Sequence, residues 1–402
     1  MNNKIIFLDA LPIMQRLMDN GYDAYFVGGA VRDYIMHRPI NDVDITTSAT
    51  PNEIESLFDH TIPVGKEHGT INVVWQGSNY EVTTFRTDGA YLDHRRPSEV
   101  FFVRDLYRDV ERRDFTINAI AMDHQFQLVD YFEGQQDIQA QIIRTVGHPK
   151  DRFDEDALRI LRGLRFQSQL GFTIARDTYH AMKENVADIE YLAIERIMIE
   201  LEKLLHGSHV SQVFASLSDL NIWHYLPYFR EVDMRAIRIN IPLTLSQFLA
   251  IVMYCTHHET GLKQLKRSND EIKAAQHLVH ALKAAQQLDS KRSLAQFVYD
   301  FGYHTARELL ALQDIFEVNN ITQPTPIIFN LQIIEEVFQS LVITNRTQLD
   351  INGKTLMTAL ASKPGPWLKT ALRSAECAVV QRKIPNREQE IIEWVKTNVK
   401  IP

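Results

Sequence analysis

Cysteine is almost absent. The chain has 402 residues and two cysteines, Cys255 and Cys377. Two thiols that far apart exclude a disulfide scaffold and any all-cysteine zinc site. They suit a reducing compartment, so a cytoplasmic location is expected. Long apolar runs are absent too. The longest, Phe248 to Cys255, has eight residues, whereas a bilayer span needs roughly 20. The first stretch reaches Asp9 too early for the apolar core of a signal peptide. Nor is there an excess of positive charge. Forty-three Lys and Arg against 51 Asp and Glu leave a formal net charge of -8. A protein that coats nucleic acid indiscriminately would be basic. A nucleic-acid enzyme is not excluded, because local charge can differ from the total.

What is present is a globular composition, 45% hydrophobic and 23% charged. That is too apolar for disorder. At ~150 residues per domain the length suggests about three domains. Charge is unevenly spread: residues 352–402 hold nine Lys or Arg and four acids. The C-terminal end is therefore basic on an acidic molecule. A solvated helical surface and an RNA-facing surface both fit that pattern.

The texture changes near residue 150. Before it, short β-like runs are broken by turn signals: Ala24–Val27, Val43–Thr46, Thr70–Trp75, Tyr80–Phe85 and Gln127–Tyr131. Helical stretches sit among them at Leu8–Asp19 and Ala30–Met36. After residue 150 the spacing predicts helices almost throughout. They cover Asp154–Gln169, Ile194–Leu205, Val213–Leu220, Gln247–Tyr254, Ile272–Gln287, Ser293–Tyr299, Ala306–Phe316, Gln332–Leu341 and Lys369–Arg382. No fixed-period repeat is present, which argues against a solenoid.

The first chemical signal is Phe26-Val27-Gly28-Gly29-Ala30-Val31-Arg32-Asp33, followed by Asn41-Asp42-Val43-Asp44. A strand, a two-glycine turn and a helix start let backbone approach a ligand and offer N–H groups to an anion. Asp42 and Asp44, two apart on an expected strand, share a face with Cα atoms ~6.6 Å apart. Carboxylates held that close repel, and a divalent cation relieves them. Mg²⁺ is the expected ion, because it takes one or two carboxylates plus phosphate oxygens. Two such ions can steady the attacking and leaving oxygens of a phosphoryl transfer. A solvated pair on an edge strand is the alternative. Glu81, on the strand Tyr80–Phe85, is a third carboxylate that either borders this site or pairs with an arginine.

These residues resemble the metal-binding signature of polymerase-β-like nucleotidyltransferases. Asp109-Val110-Glu111-Arg112-Arg113-Asp114-Phe115-Thr116-Ile117-Asn118-Ala119 is similar to the R-R-D-F-T-x-N-A motif of class II tRNA nucleotidyltransferases and bacterial poly(A) polymerases. Glu155-Asp156-Ala157-Leu158-Arg159 resembles that group's E-D-x-x-R motif, and Glu195 to Glu200 its later E-R-x-x-x-E helix. The four motifs occur in the family's order between residues 26 and 201. More weakly, Ile351-Asn352-Gly353 and Gly365-Pro366-Trp367-Leu368 resemble the tail of the compact CCA-adding enzymes of Gram-positive bacteria.

The resemblance implies addition of C, C and A to the 3′ end of tRNA from CTP and ATP, with no nucleic-acid template. It implies an α/β polymerase-β-like nucleotidyltransferase head (1–150) followed by an all-α neck (151–206), body (207–325) and tail (326–402). Asp42 and Asp44 would be catalytic and hold Mg²⁺. Gly29 and Arg32 would meet the triphosphate, and Arg113 the nucleotide. Asp156 and Arg159 would read the base. Arg162 and Arg165, each three residues further along the helix, would lie near the nucleotide and the tRNA end. Asp114 reads as an ion-pair anchor, Phe115 and Asn118 as supports of the pocket, and Glu195 with Arg196 as braces of the nucleotide helix. The polar loop Thr87–Pro97 would serve the final A addition. The body and tail would grip the acceptor stem and elbow of tRNA, and any oligomer is expected to be a homodimer. The rival readings are a poly(A) polymerase, a CC- or A-adding half of a split system, and an inactive RNA-binding descendant. His257-His258 is followed by Glu259 rather than Asp, which reads as a surface helix end rather than a phosphohydrolase centre.

Overall fold

The structure, a computed structural model, describes residues 4–89 and 99–400. It contains two compact units. One comprises residues 1–231 with 264–266, the other residues 232–263 with 267–402.

The first unit opens on α1 (Lys4–Asp19), which buries Phe7, Ala10, Ile13, Met14 and Leu17 along one stripe. There follow β1 (Ala24–Val27), α2 (Gly29–Ile35), β2 (Asp44–Thr47), α3 (Pro51–Leu57), β3 (Thr61–Ile62), β4 (Thr70–Trp75) and β5 (Ser78–Thr84). Then come β6 (Arg86–Asp88), β7 (Val100–Phe102), α4 (Leu106–Glu111), β8 (Ile120–Met122), β9 (Leu128–Asp130) and α5 (Gly134–Ala140). Among the described residues, seven strands form one mixed sheet in the order β3-β4-β5-β2-β1-β8-β9. β2 runs parallel to β5, and the other neighbours are antiparallel. Alternation along β1 sends Phe26 to one face, where its ring lies 4.9 Å from that of Phe7. Val27 goes to the other face, into a cluster with Phe85, Val110, Ala119, Ala121 and Val146.

The unit closes with β10 (Ile142–Ile143), α6 (Pro149–Glu155), α7 (Leu158–Leu170), β11 (Thr173–Ile174), α8 (Arg176–Asn185), α9 (Ile194–Leu205) and α10 (Val210–Asp219). The single helix expected over Asp154–Gln169 is two helices. The chain opens at Asp156, with φ -148° and ψ 103°. The Asp156 carboxylate accepts from the Leu158 backbone N–H at 3.0 Å and so starts α7 afresh. Phe153, Ala157 and Leu161 are buried at four-residue intervals across the break, so the apolar spacing carries through it.

The second unit is helical: α11 (Leu245–Thr256), α12 (Asn269–Ala285), α13 (Lys291–Phe301), α14 (Tyr303–Ala311), α15 (Gln313–Val318), α16 (Leu331–Gln339), α17 (Gly353–Ala359), α18 (Pro366–Val380) and α19 (Glu388–Asn398). Side chains of Thr244, Ser268 and Ser290 cap three of these. The helix expected over Ala306–Phe316 divides at Leu312 into α14 and α15. Leu356, Trp367, Ala375, Val379, Ile391 and Val395 form the core beneath α17 to α19. Lys354 and Lys369 are exposed on those helices, and Lys363 on the connection between α17 and α18. Among the described residues, no helix is long and apolar enough to cross a membrane.

Candidate active site

β1 ends at Val27, which pairs with Asp44 at the start of β2. Gly28 then takes φ 75° and ψ -142°, a conformation that strains any residue with a Cβ. A Cβ there would also lie 3.6 Å from both Asp44 Oδ2 and Arg113 Nη1. The turn thus passes close beside Asp44. Gly28→Ala is expected to destabilise the protein by about 1–3 kcal/mol, read as a lowered denaturant midpoint.

Asp44 faces a second carboxylate. The register Ile45 against Val82 in the parallel β2–β5 pair sets Asp44 beside Glu81. Burial, then Glu81, then Asp42 push the Asp44 carboxyl up to about 6, with Arg113 opposing. Asp42 corrects one expectation: it precedes β2 rather than lying on it, and it is exposed. Among the described residues, no group of three Asp, Glu, His or Cys side chains is arranged to hold an ion by itself. The donor set still fits a hard cation that keeps most of its shell for water and phosphate oxygens. Like charges are crowded at Asp44 and Glu81, and a cation would reverse the sign of that crowding.

Asp109, on α4, is fully buried and gathers donors from four directions. Its Oδ1 accepts from Arg112 Nη2 at 2.7 Å and from the Arg86 backbone N–H at 3.3 Å. Its Oδ2 accepts from Arg113 Nη2 at 3.1 Å and Thr46 Oγ1 at 3.4 Å. Burial raises its pKa, but Arg113 and Arg112 more than offset this, and the net shift is downward. Asp109 therefore ties β2, the β5–β6 junction and the two arginines together. Asp109→Ala would leave two half-buried guanidiniums without their counter-charge and is expected to cost about 3–5 kcal/mol, measured by chemical denaturation. Arg113 Nε is buried with no acceptor among the described residues, a donor that a ligand oxygen would satisfy.

Three guanidiniums converge on one ring. Arg32, Arg162 and Arg165 lie 5.3, 5.6 and 4.3 Å from the centroid of Phe166. Arg32 donates to Asn118 Oδ1 at 2.7 Å and to Asp33 at 2.9 Å. Arg162 donates from Nε to Asp114 Oδ2 at 2.7 Å. Arg165 pairs with Glu200 of α9 at 3.0 Å. Burial raises the Asp114 pKa, but Arg162 and Arg159 overcome it and hold the carboxyl down at about 2. Burial lowers Arg165 to about 10, against the charge of Glu200. Asp114 and Asn118 are thus the anchor and support that the sequence predicts. Sequence alone gives no such role to Phe166, which reads as core, or to Glu200, whose partner Arg165 lies on another helix.

At the other end, Asp156 stands at the break between α6 and α7. Its Oδ2 accepts from Arg196 Nη2 at 2.8 Å. Arg159 pairs with Glu155 and donates to the carbonyls of Arg152 at 2.9 Å and Arg112 at 3.0 Å. Arg196 braces the expected base-reading acid directly, whereas Glu195 pairs with Lys266 at 3.1 Å.

These parts line one cavity of about 730 Å³, a size suited to a small polar ligand. Gly29, Arg32, Asp44, Arg113, Asp156, Arg159, Arg162 and Arg165 all line it. Of the site residues expected from sequence, Asp42 alone is not in that lining. Glu81, Arg196, His68, Thr70, Thr83 and Arg86 also line it. Residues 90–97 of the loop expected to serve A addition lie outside the described residues. Chemically the cavity offers carboxylates for a cation, a guanidinium cluster for an anion, and a carboxylate–guanidinium pair for a hydrogen-bonding edge.

Comparison with known proteins gives the following. Residues 24–144 match the family described as "Poly A polymerase head domain". Residues 171–232 match "Probable RNA and SrmB- binding site of polymerase A", and residues 244–395 match tRNA nucleotidyltransferase domain 2. The CCA-adding enzyme of Staphylococcus haemolyticus is 52% identical over 396 residues, covering 98% of this chain and 99% of that protein. That of Staphylococcus aureus is 51% identical over 399 residues, covering 99% and 100%. Among solved structures, the Bacillus stearothermophilus CCA-adding enzyme in complex with CTP superposes with a TM-score of 0.81 at 33% identity, over 97% of each chain.

Proposed function

The chain belongs to the CCA-adding enzymes, and from that premise we propose how its cavity adds C, C and A to the 3′ end of tRNA. The observation that carries the reading is the single cavity shared by Asp44, the Phe166 arginine cluster and the Asp156–Arg159 pair.

The incoming CTP or ATP lies along that cavity. Its triphosphate takes the Gly28–Gly29 turn and Arg32, with Arg162 and Arg165 supplying positive charge, and Arg113 meets the nucleotide. Two magnesium ions at Asp42 and Asp44, with Glu81 beside them, would offset charge on the reacting phosphate and lower the proton affinity of the attacking hydroxyl. Asp156 accepts from the exocyclic amino group that C and A share, and Arg159 donates to a ring nitrogen or carbonyl. U presents a carbonyl where C presents that amino group, and G does so where A presents it. The wrong base therefore leaves a buried polar group unpaired. Residues 1–150 act as head and 151–206 as neck. Residues 207–325 and 326–402 bind tRNA by backbone and shape, the last with its basic surface.

The test uses three tRNAs, ending at the discriminator base, in C and in CC. Each receives Mg²⁺ with CTP, ATP or both, and products are sized on a gel. Addition that stops at CCA supports the proposal. Stopping at CC, or adding A only to the CC substrate, would make the protein half of a split system. A long run of A would make it a poly(A) polymerase. No addition would indicate an inactive RNA-binding descendant.

A further inference from the structure

We propose that the polar lip beyond the Asp44–Glu81 pair, formed by His68, Thr70, Thr83 and Arg86, seats the 3′-terminal ribonucleotide of the tRNA primer. This rests on the function proposed above and assigns a part of the cavity that the nucleotide reading does not use.

The order of strands fixes the sides of the reaction. Crossing the sheet from β1 to β4, one meets Gly28 after β1, Asp44 on β2, Glu81 and Thr83 on β5, and Thr70 on β4. Strands are ~4.8 Å apart, so the glycine turn and Thr70 lie about three spacings from each other, with both carboxylates between. In nucleotidyl transfer the primer's 3′-oxygen forms a bond to the α-phosphorus. The bond from that phosphorus to the bridging oxygen breaks, and pyrophosphate leaves with the electron pair. The hydroxyl proton goes to solvent. Attacking and leaving oxygens are in line across the phosphorus. With the triphosphate at the Gly28–Gly29 turn, pyrophosphate departs on the β1 side. The attacking oxygen must therefore arrive from the β5–β4 side, where the lip is.

The lip has the chemistry of a ribonucleotide seat. The hydroxyls of Thr70 and Thr83 lie 3.0 Å apart across β4 and β5. Only one of them donates in that bond, so the pair keeps a donor and acceptors for a ribose hydroxyl. The 2′-hydroxyl is the group that tells RNA from DNA. Arg86 places its guanidinium on the His68 carbonyl, and its backbone N–H is held by Asp109. A cation is thus stationed at the rim, where the phosphodiester of the terminal nucleotide would pass. The turn carrying His68 needs glycine at the next position: Gly69 takes φ 88°, and a Cβ there would fall 2.9 Å from the Phe102 ring. The His68 side chain is half exposed at the mouth. No carboxylate is among the four residues, as an RNA terminus requires.

The test uses tRNA ending in CC, with the last sugar either ribo or 2′-deoxy, and reads steady-state A addition alongside equilibrium binding of CTP without tRNA. Arg86→Ala and His68→Ala are expected to raise KM for tRNA about tenfold, the worth of one charge-assisted contact. KM for ATP and the Kd for CTP should stay within about twofold, and Arg86→Lys should recover part of the loss. The unmodified protein should prefer the ribo terminus by about tenfold. Thr83→Val should erase that preference, and Thr83→Ser should restore it. Unchanged KM for tRNA, or a parallel rise in the CTP Kd, would overturn the assignment of the lip. So would equal use of both termini by the unmodified protein. If that protein adds nothing to any tRNA, it is the function proposed above that falls, and this assignment falls with it.

Discussion

Asp44→Asn is expected to abolish nucleotide addition while making the ion-free protein more stable at pH 8. The two effects share one cause. Asp44 sits half buried against Glu81 and Asp42, and its carboxyl is raised from 3.8 to about 6. A carboxyl that holds its proton more tightly folded than unfolded weakens the fold as pH rises between those two values, and the penalty persists above about 6. The shift corresponds to about 1–3 kcal/mol, which Asn would return at pH 8 and hardly at all at pH 3, where the carboxyl is mostly protonated in both states. Denaturation in EDTA at the two pH values measures it. Magnesium should stabilise the native sequence at pH 8 and leave Asp44→Asn unmoved. Loss of cation-assisted charge stabilisation, worth several kcal/mol, predicts a fall in kcat of at least about 10³. Filter binding should show tRNA still held. Normal turnover in Asp44→Asn, or a less stable protein at pH 8, would sink the assignment. A site that is strained when empty is what a functional charge cluster looks like, and the gain on removing it is the usual trade.

The parts of this site that were legible in sequence are those written locally. Gly28-Gly29 between a strand and a helix declares a turn that needs a missing Cβ, and Asp44 two residues after Asp42 declares a charge problem. The sheet and the helical remainder follow from period-2 and period-3.6 patterns in which each element carries its own signal. What was not legible depends on partners far away in the chain. The break at Asp156 is invisible because Phe153, Ala157 and Leu161 keep a helical spacing through it. The interactions that fix the break are the capping of Leu158 and the Arg196 contact from 40 positions on. Asp109 looks like one acid among several until Thr46, Arg86, Arg112 and Arg113 are seen to converge on it. The α8 and α19 helices are weakly marked in the sequence because they bury few apolar residues. In the first, the buried positions Thr178, Ala181, Met182 and Asn185 have helical spacing, but two of the four are polar and carry no apolar signal; the second buries only Ile391 and Val395.

Replacing both Asp156 and Arg159 with Ala is expected to collapse base selection without weakening tRNA binding. A pocket built to hydrogen-bond one edge rejects the wrong base by about 10⁴ or more, because the mismatch strands a buried donor or acceptor. Here the proposed reading groups are fixed in advance. Asp156 is held by Arg196 and by the Leu158 N–H, and these use two of its roughly four acceptor sites. Arg159 is held by two carbonyls and Glu155. Fixed groups cannot swing to suit U or G, so rigidity is what turns hydrogen bonding into selection. The double variant should accept UTP and GTP within about a hundredfold of CTP and ATP, measured as kcat/KM by single-nucleotide addition. Arg196→Ala separates positioning from mere support. It leaves Asp156 held by the Leu158 N–H and without its Arg196 contact, and should relax selectivity to an intermediate degree, with Arg196→Lys recovering part of it. If these ion pairs only knit helix ends together, Arg196→Ala would lower stability and leave the ratio of CTP to UTP use untouched.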